Sequence, residues 1–201
     1  WLINVLNTVT GNLDREGGAM FTLPAFDIVG GPKALGLGRG SIGRWKSRVR
    51  GLPEFGGELP VAALAEEILT PGEGRIRALI TLAGNPVLST PNGTQLDTAL
   101  GQLDFMVSVD IYLNETTRHA DVILPAPPLL AEGHYDLALY QLAIRNVANY
   151  SPPVIEPDPA VLPEWQTLLR LAGIAGGQGP DVDVEAFDDA ADGGERCRAA
   201  V

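Results

Sequence analysis

Two short apolar segments that stop abruptly at small or polar residues constrain the fold of this chain more than any other feature. Residues 78–83 (ALITLA) run into Gly-Asn-Pro at 84–86, and residues 105–109 (FMVSV) run into Asp110. Continuous apolar runs of this length are typical of buried parallel strands, whose ligand-binding loops follow their carboxyl ends. We therefore predict two neighbouring parallel strands with ligand loops at 84–86 and at Asp110.

The segment between these strands has the spacing of an amphipathic helix. In residues 95–103 the apolar side chains recur at helical intervals and share one face, at Leu96, Ala99, Leu100 and Leu103. A third apolar strand is predicted at 120–124, where Pro125 ends it. The pattern predicts an α/β fold with an open, mostly parallel sheet and flanking helices, in the manner of half a Rossmann domain.

Composition and the positions of glycine and proline residues divide the chain into five regions. Residues 1–20 indicate a helix and a glycine turn from an adjoining domain, and residues 21–57 an irregular connection rich in glycine and proline. Residues 58–150 carry the α/β pattern of a cofactor-binding domain, and residues 151–180 a proline-rich crossing and a helix. Residues 181–201 form an acidic tail that we expect to be weakly ordered. Because the first helix starts without an initiator methionine, we expect a piece of a longer protein.

Charge and residue usage exclude several classes of protein. A net charge of -11 argues against sequence-independent nucleic-acid binding, and no apolar run approaches the length of a membrane span. We expect a soluble, cytoplasmic protein without membrane insertion. The single cysteine, Cys197, cannot form an internal disulfide. His119 and His134 are not at metal-ligand spacing, so no metal site is predicted. Structural roles are favoured for both histidines.

Two weaker patterns lie in the irregular connection. Residues 38–43 fit the G-x-G-x-x-G dinucleotide motif, but no strand precedes them and no helix follows, so a cofactor role is disfavoured. The same stretch holds a basic cluster that could contact an anionic cofactor or a neighbouring domain, while a solvated loop is the favoured interpretation: Arg39, Arg44, Lys46, Arg48 and Arg50.

The residues at the two strand ends suit a nucleotide ligand. Gly84 allows a tight turn, Asn85 can donate and accept hydrogen bonds, and Asp110 offers a carboxylate acceptor. A guanine presents two N–H donors to a carboxylate, and backbone N–H groups at a helix start can hold a pyrophosphate. The alternative is that Asp110 only caps a helix beginning near Leu113 and that residues 85–86 form a plain turn.

Several segments form an ordered set of motifs along the chain. The central part of the set is AGNPVLSTP at 83–91, LDFMVSVDIY at 103–112 and NETTRHADVILP at 114–125, and it is flanked by TGNLDREGG at 10–18 and by Glu-Gly at 132–133. In order and spacing, this set resembles the molybdopterin-dependent oxidoreductases of the formate dehydrogenase, nitrate reductase and dimethyl sulfoxide reductase group. The chain departs from the family's commoner charged continuation at 140–146, which leaves the substrate open.

The resemblance implies roles for particular residues. Residues 58–150 would correspond to the family's second α/β domain, with Gly84, Asn85 and Asp110 lining the nucleotide end of one molybdopterin guanine dinucleotide. Three further residues fall in the family's Thr-x-x-x-Ala-Asp stretch, where buried packing at the strand end is an equal alternative to cofactor contact: Thr116, Thr117 and Asp121.

The resemblance also implies what other parts of such an enzyme would supply. The chain would belong to a bis-molybdopterin guanine dinucleotide enzyme with molybdenum or tungsten, for formate oxidation or nitrate reduction. The remaining domains would provide the metal ligand and an amino-terminal iron–sulfur cluster, so this chain alone would be inactive. Two alternatives stay open, namely a non-catalytic subunit with the same fold and the middle domain of a thiamine-diphosphate enzyme.

Overall fold

The computed structural model of the chain describes residues 1–21, 42–135, 143 and 147–179. The predicted acidic tail at 181–201 lies outside the described residues, as does the first part of the glycine-rich connection. Short 3-10 turns occur at Val61–Ala63, Thr117–His119 and Leu129–Ala131. The helices and strands are, in chain order, α1 (Leu2–Val9), β1 (Ile42–Lys46), β2 (Pro53–Phe55), α2 (Leu64–Leu69), β3 (Ala78–Leu82), α3 (Pro86–Ser89), α4 (Gly93–Leu100), β4 (Phe105–Val109), β5 (Val122–Leu124), β6 (His134–Tyr135), β7 (Tyr150–Ser151) and α5 (Glu164–Ala175).

A parallel sheet in the order β3-β4-β5 confirms the predicted α/β fold. β3 pairs with β4, and β4 with β5, in parallel, with Ile80 opposite Val107 and Val107 opposite Val122. Both strand-end loops predicted from the sequence therefore leave the sheet at its carboxyl edge.

Helices α2 and α4 cover one face of this sheet. The apolar face predicted for the second helix is buried, with Leu96, Ala99 and Leu100 each at most 2% exposed. They pack with Ile68 of α2 and Met106 of β4 in a single hydrophobic core. Burying a leucine or isoleucine side chain contributes about 1.5–3 kcal/mol, so each of these side chains stabilises the packing of the helices on the sheet.

The other face of the sheet exposes apolar side chains on β3 and at the start of β4, whereas Val107 and Val109 on the same face are buried. Side chains alternate along a strand, so Leu79 and Met106 face the helices while their neighbours Ile80 and Phe105 point to the opposite side. Ile80 and Phe105 are each 48% exposed. Parallel sheets are normally covered on both faces, which makes this exposure unusual.

The connection predicted to be irregular contains an antiparallel hairpin, which corrects that expectation for residues 42–55. Ile42 of β1 lies opposite Phe55 of β2. All of β1 is exposed and only Glu54 of β2 is buried, so the hairpin has no apolar alternation that could reveal it. Arg39, the first residue of the basic cluster, lies outside the described residues.

Two arginines of the basic cluster attach this hairpin to α2. Arg48 Nη2 donates to Thr70 O at 2.6 Å and Arg48 Nε lies 3.4 Å from Glu67 Oε2, while Arg50 pairs with Glu66. Glu67 Oε1 also accepts from Val49 N at 2.8 Å. Arg48 thus binds carbonyls at the carboxyl end of α2, whereas Arg50 contacts Glu66 and Ala62 near its amino end.

The predicted terminal helices are both present. Helix α1 has no buried residue, and α5 begins where Glu132 Oε1 accepts a hydrogen bond from Glu164 N at 3.0 Å. Gly133 sits under Tyr150, where an added Cβ would lie 2.2 Å from the tyrosine hydroxyl. Among the residues that the structure describes, no helix combines the length and the apolar character needed to cross a membrane.

Candidate functional site at the carboxyl edge of the sheet

The first part of the site is the turn that follows β3. Ala83 N donates to Val109 O at 2.8 Å, so the chain stays paired with β4 until the turn begins. The backbone φ is +48° at Ala83 and +76° at Gly84, both in the left-handed region that favours glycine. An added Cβ at Gly84 would meet no atom within 4 Å, so the approach to this turn is open.

Backbone donors at this turn differ from those expected. Helix α3 is a single turn that begins with Pro86, which has no N–H, so it does not offer the row of helix-start donors predicted for a pyrophosphate. The N–H groups of Gly84 and Asn85 instead have no acceptor among the described residues. Two successive backbone donors are thus available in front of the open turn.

Asn85 is held on both sides by the loop that follows β4. Its Nδ2 donates to Glu115 Oε2 at 2.6 Å, and Thr116 Oγ1 donates to its Oδ1 at 2.7 Å. The hydrogen bond from Asn85 lowers the pKa of the Glu115 carboxyl below its usual value. The Asn85 side chain therefore joins the two strand-end loops.

Asp110 follows β4 at the same edge and folds its own loop. Its backbone N–H donates to Leu124 O at 3.1 Å, which places it beside the end of β5. Its Oδ1 accepts from Tyr112 N at 2.9 Å and its Oδ2 from Asn114 Nδ2 at 3.4 Å. This is an Asx turn and not a helix cap, since the next helical turn begins only at Thr117.

Thr116 and Thr117 lie inside the loop and not at its surface. They are 0% and 1% exposed, and both backbone N–H groups donate to Asn114 Oδ1, at 2.9 and 3.0 Å. Thr117 Oγ1 donates to Tyr112 O at 2.8 Å. The structure thus brings both threonines to the site as residues that shape its loops.

Asp121 lies toward the opposite edge of the sheet. It precedes β5, and its Oδ2 accepts from Met106 N near the amino end of β4 at 2.7 Å. The backbone N–H of Asp121 donates to Met106 O at 2.8 Å. The sheet therefore separates Asp121 from the residues at the carboxyl edge.

Two residues that the sequence analysis did not assign to the site, Asn114 and Glu115, hold it together. Asn114 connects Asp110 to the threonine turn, and Glu115 connects that turn to Asn85. The only signal in the sequence is a run of hydrogen-bonding residues, Asn-Glu-Thr-Thr at 114–117, following a strand. Which strand-end loop this run meets depends on the order of strands in the sheet.

His119 has a structural contact beside this region. Its Nε2 lies 2.6 Å from Asp97 Oδ1 on α4, and Arg118 Nη2 lies 2.6 Å from the same oxygen. The hydrogen bonds from His119 and then Arg118 lower the pKa of the Asp97 carboxyl. They fasten the 117–119 turn to the helix layer.

A family-wide sequence model decides the class of protein to which this site belongs. The model described as molybdopterin oxidoreductase matches residues 1–130, which include the whole parallel sheet and both strand-end loops. The chain belongs to the molybdopterin oxidoreductase family. The resemblance carried by the central motifs is therefore confirmed.

Individual members of the molybdopterin oxidoreductase family match the chain over different lengths. It is 32% identical over 105 residues to the assimilatory nitrate reductase catalytic subunit of Bacillus subtilis, covering 52% of this chain and 14% of that protein. It is 28% identical over 174 residues to the F420-dependent formate dehydrogenase 2 subunit alpha of Methanococcus maripaludis, covering 83% of this chain and 25% of that protein. It is 30% identical over 106 residues to the F420-dependent formate dehydrogenase subunit alpha of Methanocaldococcus jannaschii, covering 53% of this chain and 15% of that protein. The chain thus matches no more than 25% of the length of these relatives.

Membership in the molybdopterin oxidoreductase family implies a molybdopterin-type cofactor. Among the described residues, no group of three or more His, Cys, Asp or Glu side chains could hold a metal ion. The carboxyl edge of the sheet offers backbone N–H donors, the carboxylates of Asp110 and Glu115, and open space in front of Gly84. These groups can bind and orient a polar ligand.

Proposed function

We propose that this chain supplies part of the binding site for the nucleotide end of a molybdopterin guanine dinucleotide, through Gly84, Asn85 and Asp110. The observation that carries the proposal is that the Asn85 turn and the Asp110 loop lie together at one edge of the sheet. In open α/β sheets, ligands bind outside the carboxyl ends of the strands. The family's cofactor type supports the class of ligand, and the sheet geometry supports this edge as the place where it binds.

Asp110 has the acceptors that a guanine base requires. Each of its carboxylate oxygens accepts one hydrogen bond within the loop. A carboxylate has about four acceptor positions, so a lone pair remains on both oxygens. Guanine presents a ring N–H and an exocyclic amine side by side, whereas adenine presents an amine beside a ring acceptor. This difference supports guanine as the base.

The backbone at Gly84 and Asn85 suits the anionic part of the nucleotide. Successive backbone N–H groups in a turn form a concave site for anionic oxygens. The left-handed conformations of Ala83 and Gly84 produce such a turn, and neither N–H at 84 and 85 is used by the described residues. In our proposal these donors bind phosphate or ribose oxygens.

The remaining predicted site residues receive different roles in this proposal. Thr116 and Thr117 are buried, so we assign them to the shape of the loops and not to direct contact with the cofactor. Asp121 is left outside the nucleotide site because it aligns β5 with β4 at the far edge.

The proposal extends to the enzyme that contains this chain. When bound, the cofactor supplies a molybdenum or tungsten centre for two-electron redox chemistry such as formate oxidation or nitrate reduction. The residues of this chain bind and orient its nucleotide end, in an enzyme carrying two such dinucleotides. Other domains supply the metal ligand and an amino-terminal iron–sulfur cluster. The cytoplasmic location indicated by the sequence stays a prediction.

Nucleotide titration of the isotopically labelled 201-residue chain tests the proposal. We expect GDP to shift the NMR signals of Gly84, Asn85 and Asp110, with ADP binding more weakly because its base lacks the paired donors. A chain that binds GDP and ADP equally, or shows GDP-dependent shifts only elsewhere, would contradict the guanine site. Absence of any binding would favour the alternative of a non-catalytic subunit with this fold.

A further inference from the structure

Glu115 reaches from the loop after β4 to the turn after β3. Its Oε2 accepts from Asn85 Nδ2 at 2.6 Å, and its side chain is neither fully buried nor fully exposed. No other hydrogen bond of the Asn85 side chain involves a charged group. The contact is therefore the charge-assisted part of the link between the two loops.

The direction of the hydrogen bonds around Asn85 depends on Glu115. An amide can present either its oxygen or its nitrogen to a hydroxyl, because a hydroxyl both donates and accepts. The Glu115 oxygen that faces Asn85 is an acceptor, so it requires Nδ2 on its side and leaves Oδ1 facing Thr116. The Thr116 proton then goes to Asn85 Oδ1, and the Thr116 oxygen accepts from Val87 N at 3.2 Å.

The turn that Asn85 completes needs support from outside itself. Ala83 has a left-handed φ of +48°, which is uncommon for a residue with a Cβ, and Gly84 follows at +76°. The backbone N–H groups proposed to bind the nucleotide belong to this same turn. Their direction therefore depends on how firmly Asn85 is held.

We propose that Glu115 is a positioning residue for the nucleotide site, which orients the Asn85 amide and so holds the Gly84 and Asn85 N–H groups in their binding direction. The inference rests on the function proposed above. It concerns the reach of the Glu115 acceptor and not its negative charge, since a negative charge beside a phosphate would weaken binding.

Two variants of one residue separate reach from charge. Glu115→Asp keeps the charge but withdraws the acceptor by one methylene, and Glu115→Gln removes the charge but keeps one acceptor oxygen, its Oε1, at the same reach. We expect Glu115→Asp to weaken GDP binding about 5- to 10-fold and Glu115→Gln to stay within about 2-fold of the wild type. Glu73, an exposed acid before β3, provides matched controls, and neither Glu73→Asp nor Glu73→Gln should change the affinity.

The side-chain amide of Asn85 gives a second readout without any nucleotide. Its two Nδ2 proton signals should be well separated and slow to exchange in the wild type and in Glu115→Gln, and should collapse toward the free-amide position in Glu115→Asp. Tight GDP binding by Glu115→Asp, or weak binding by Glu115→Gln, overturns the positioning role while leaving the nucleotide site in place. A wild-type chain that does not bind GDP overturns the proposed function, and the positioning role with it.

Discussion

Thr116 Oγ1 lies 2.7 Å from Asn85 Oδ1 and 3.2 Å from Val87 N, so one hydroxyl joins the loop after β4 to both sides of the turn after β3. Thr116 is completely buried. Together with Asn114 and Glu115 it makes the two strand-end loops a single hydrogen-bonded unit. A substitution in one loop should therefore change the structure or stability of the other loop as well.

Replacing Thr116 by valine should test that unit directly. The change keeps the shape of the side chain but leaves Val87 N and Asn85 Oδ1 without their partner, so we expect the free energy of unfolding to fall by about 1–3 kcal/mol. Urea denaturation measures this. Thr94→Val, at an exposed position of α4, is the control and should change stability by no more than about 0.5 kcal/mol. Equal losses in both variants would contradict the prediction.

Asp110→Asn should separate guanine recognition from loop folding. The amide oxygen can still accept from Tyr112 N, but an NH2 donor replaces the second oxygen, which loses the long 3.4 Å bond from Asn114 Nδ2 and presents a donor to the donors of the base. We expect GDP affinity to fall about 10- to 150-fold with little change in melting temperature. Asp110→Ala should lose both the affinity and part of the stability. An Asn variant that binds GDP like the wild type would count against the assignment of Asp110.

Two glycines at opposite ends of α4 should respond differently to alanine. A Cβ at Gly93 would lie 1.9 Å from the backbone oxygen of Val87, whereas a Cβ at Gly101 would have its nearest contact at 3.6 Å. We expect Gly93→Ala to destabilise the domain by about 1–3 kcal/mol despite the helix preference of alanine. Gly101→Ala should be neutral or stabilise by up to about 1 kcal/mol. Thermal denaturation of the two variants side by side would show whether this order holds.

The pairing of Asp97 predicts a pH-dependent contribution to stability. Hydrogen bonds from His119 and Arg118 place the folded-state pKa of Asp97 below its unfolded value. Such a group stabilises the protein above the unfolded pKa, and the contribution is lost as the pH falls through the folded pKa. The stability difference between wild type and Asp97→Asn should therefore be largest near neutral pH and shrink in acid. Urea unfolding at a series of pH values measures the difference, and a constant value would contradict it.

The purified chain should contain neither molybdenum nor iron in stoichiometric amount and should show no oxidoreductase activity. The part of the chain that the structure describes has no cluster of side chains able to hold a metal, and the sequence has one cysteine. A four-cysteine iron–sulfur cluster cannot form within such a chain. Metal analysis that finds either element at one atom per chain would refute this expectation.

The strands and α4 were predictable because their signals are local. The runs at 78–83 and 105–109 are apolar except for Thr81 and Ser108, and Leu96, Ala99 and Leu100 repeat at helical spacing, so each segment indicates its own structure. The parallel direction of β3 and β4 then places Asn85 and Asp110 at one edge without further information.

The parts that the sequence did not predict depend on contacts between distant segments. The hairpin at 42–55 exposes nearly all of its side chains, so no apolar alternation marks it. The hydrogen bond between Asn85 and Glu115 joins residues 30 positions apart, and neither residue indicates the other. Asp121 was predicted inside the third strand, and only the register of β5 against β4 reveals that it lies at the far edge.

The order of the strands sets the width of the site independently of its side chains. Asn85 and Asp110 follow directly adjacent strands, and adjacent strands lie about 4.8 Å apart because their backbones are hydrogen-bonded. The hydrogen-bonded pairing of β3 with β4 therefore sets the distance between the starting points of the two loops. Changes at positions 85 and 110 can therefore alter which chemical groups the edge recognises, while the distance between the two loops stays constant.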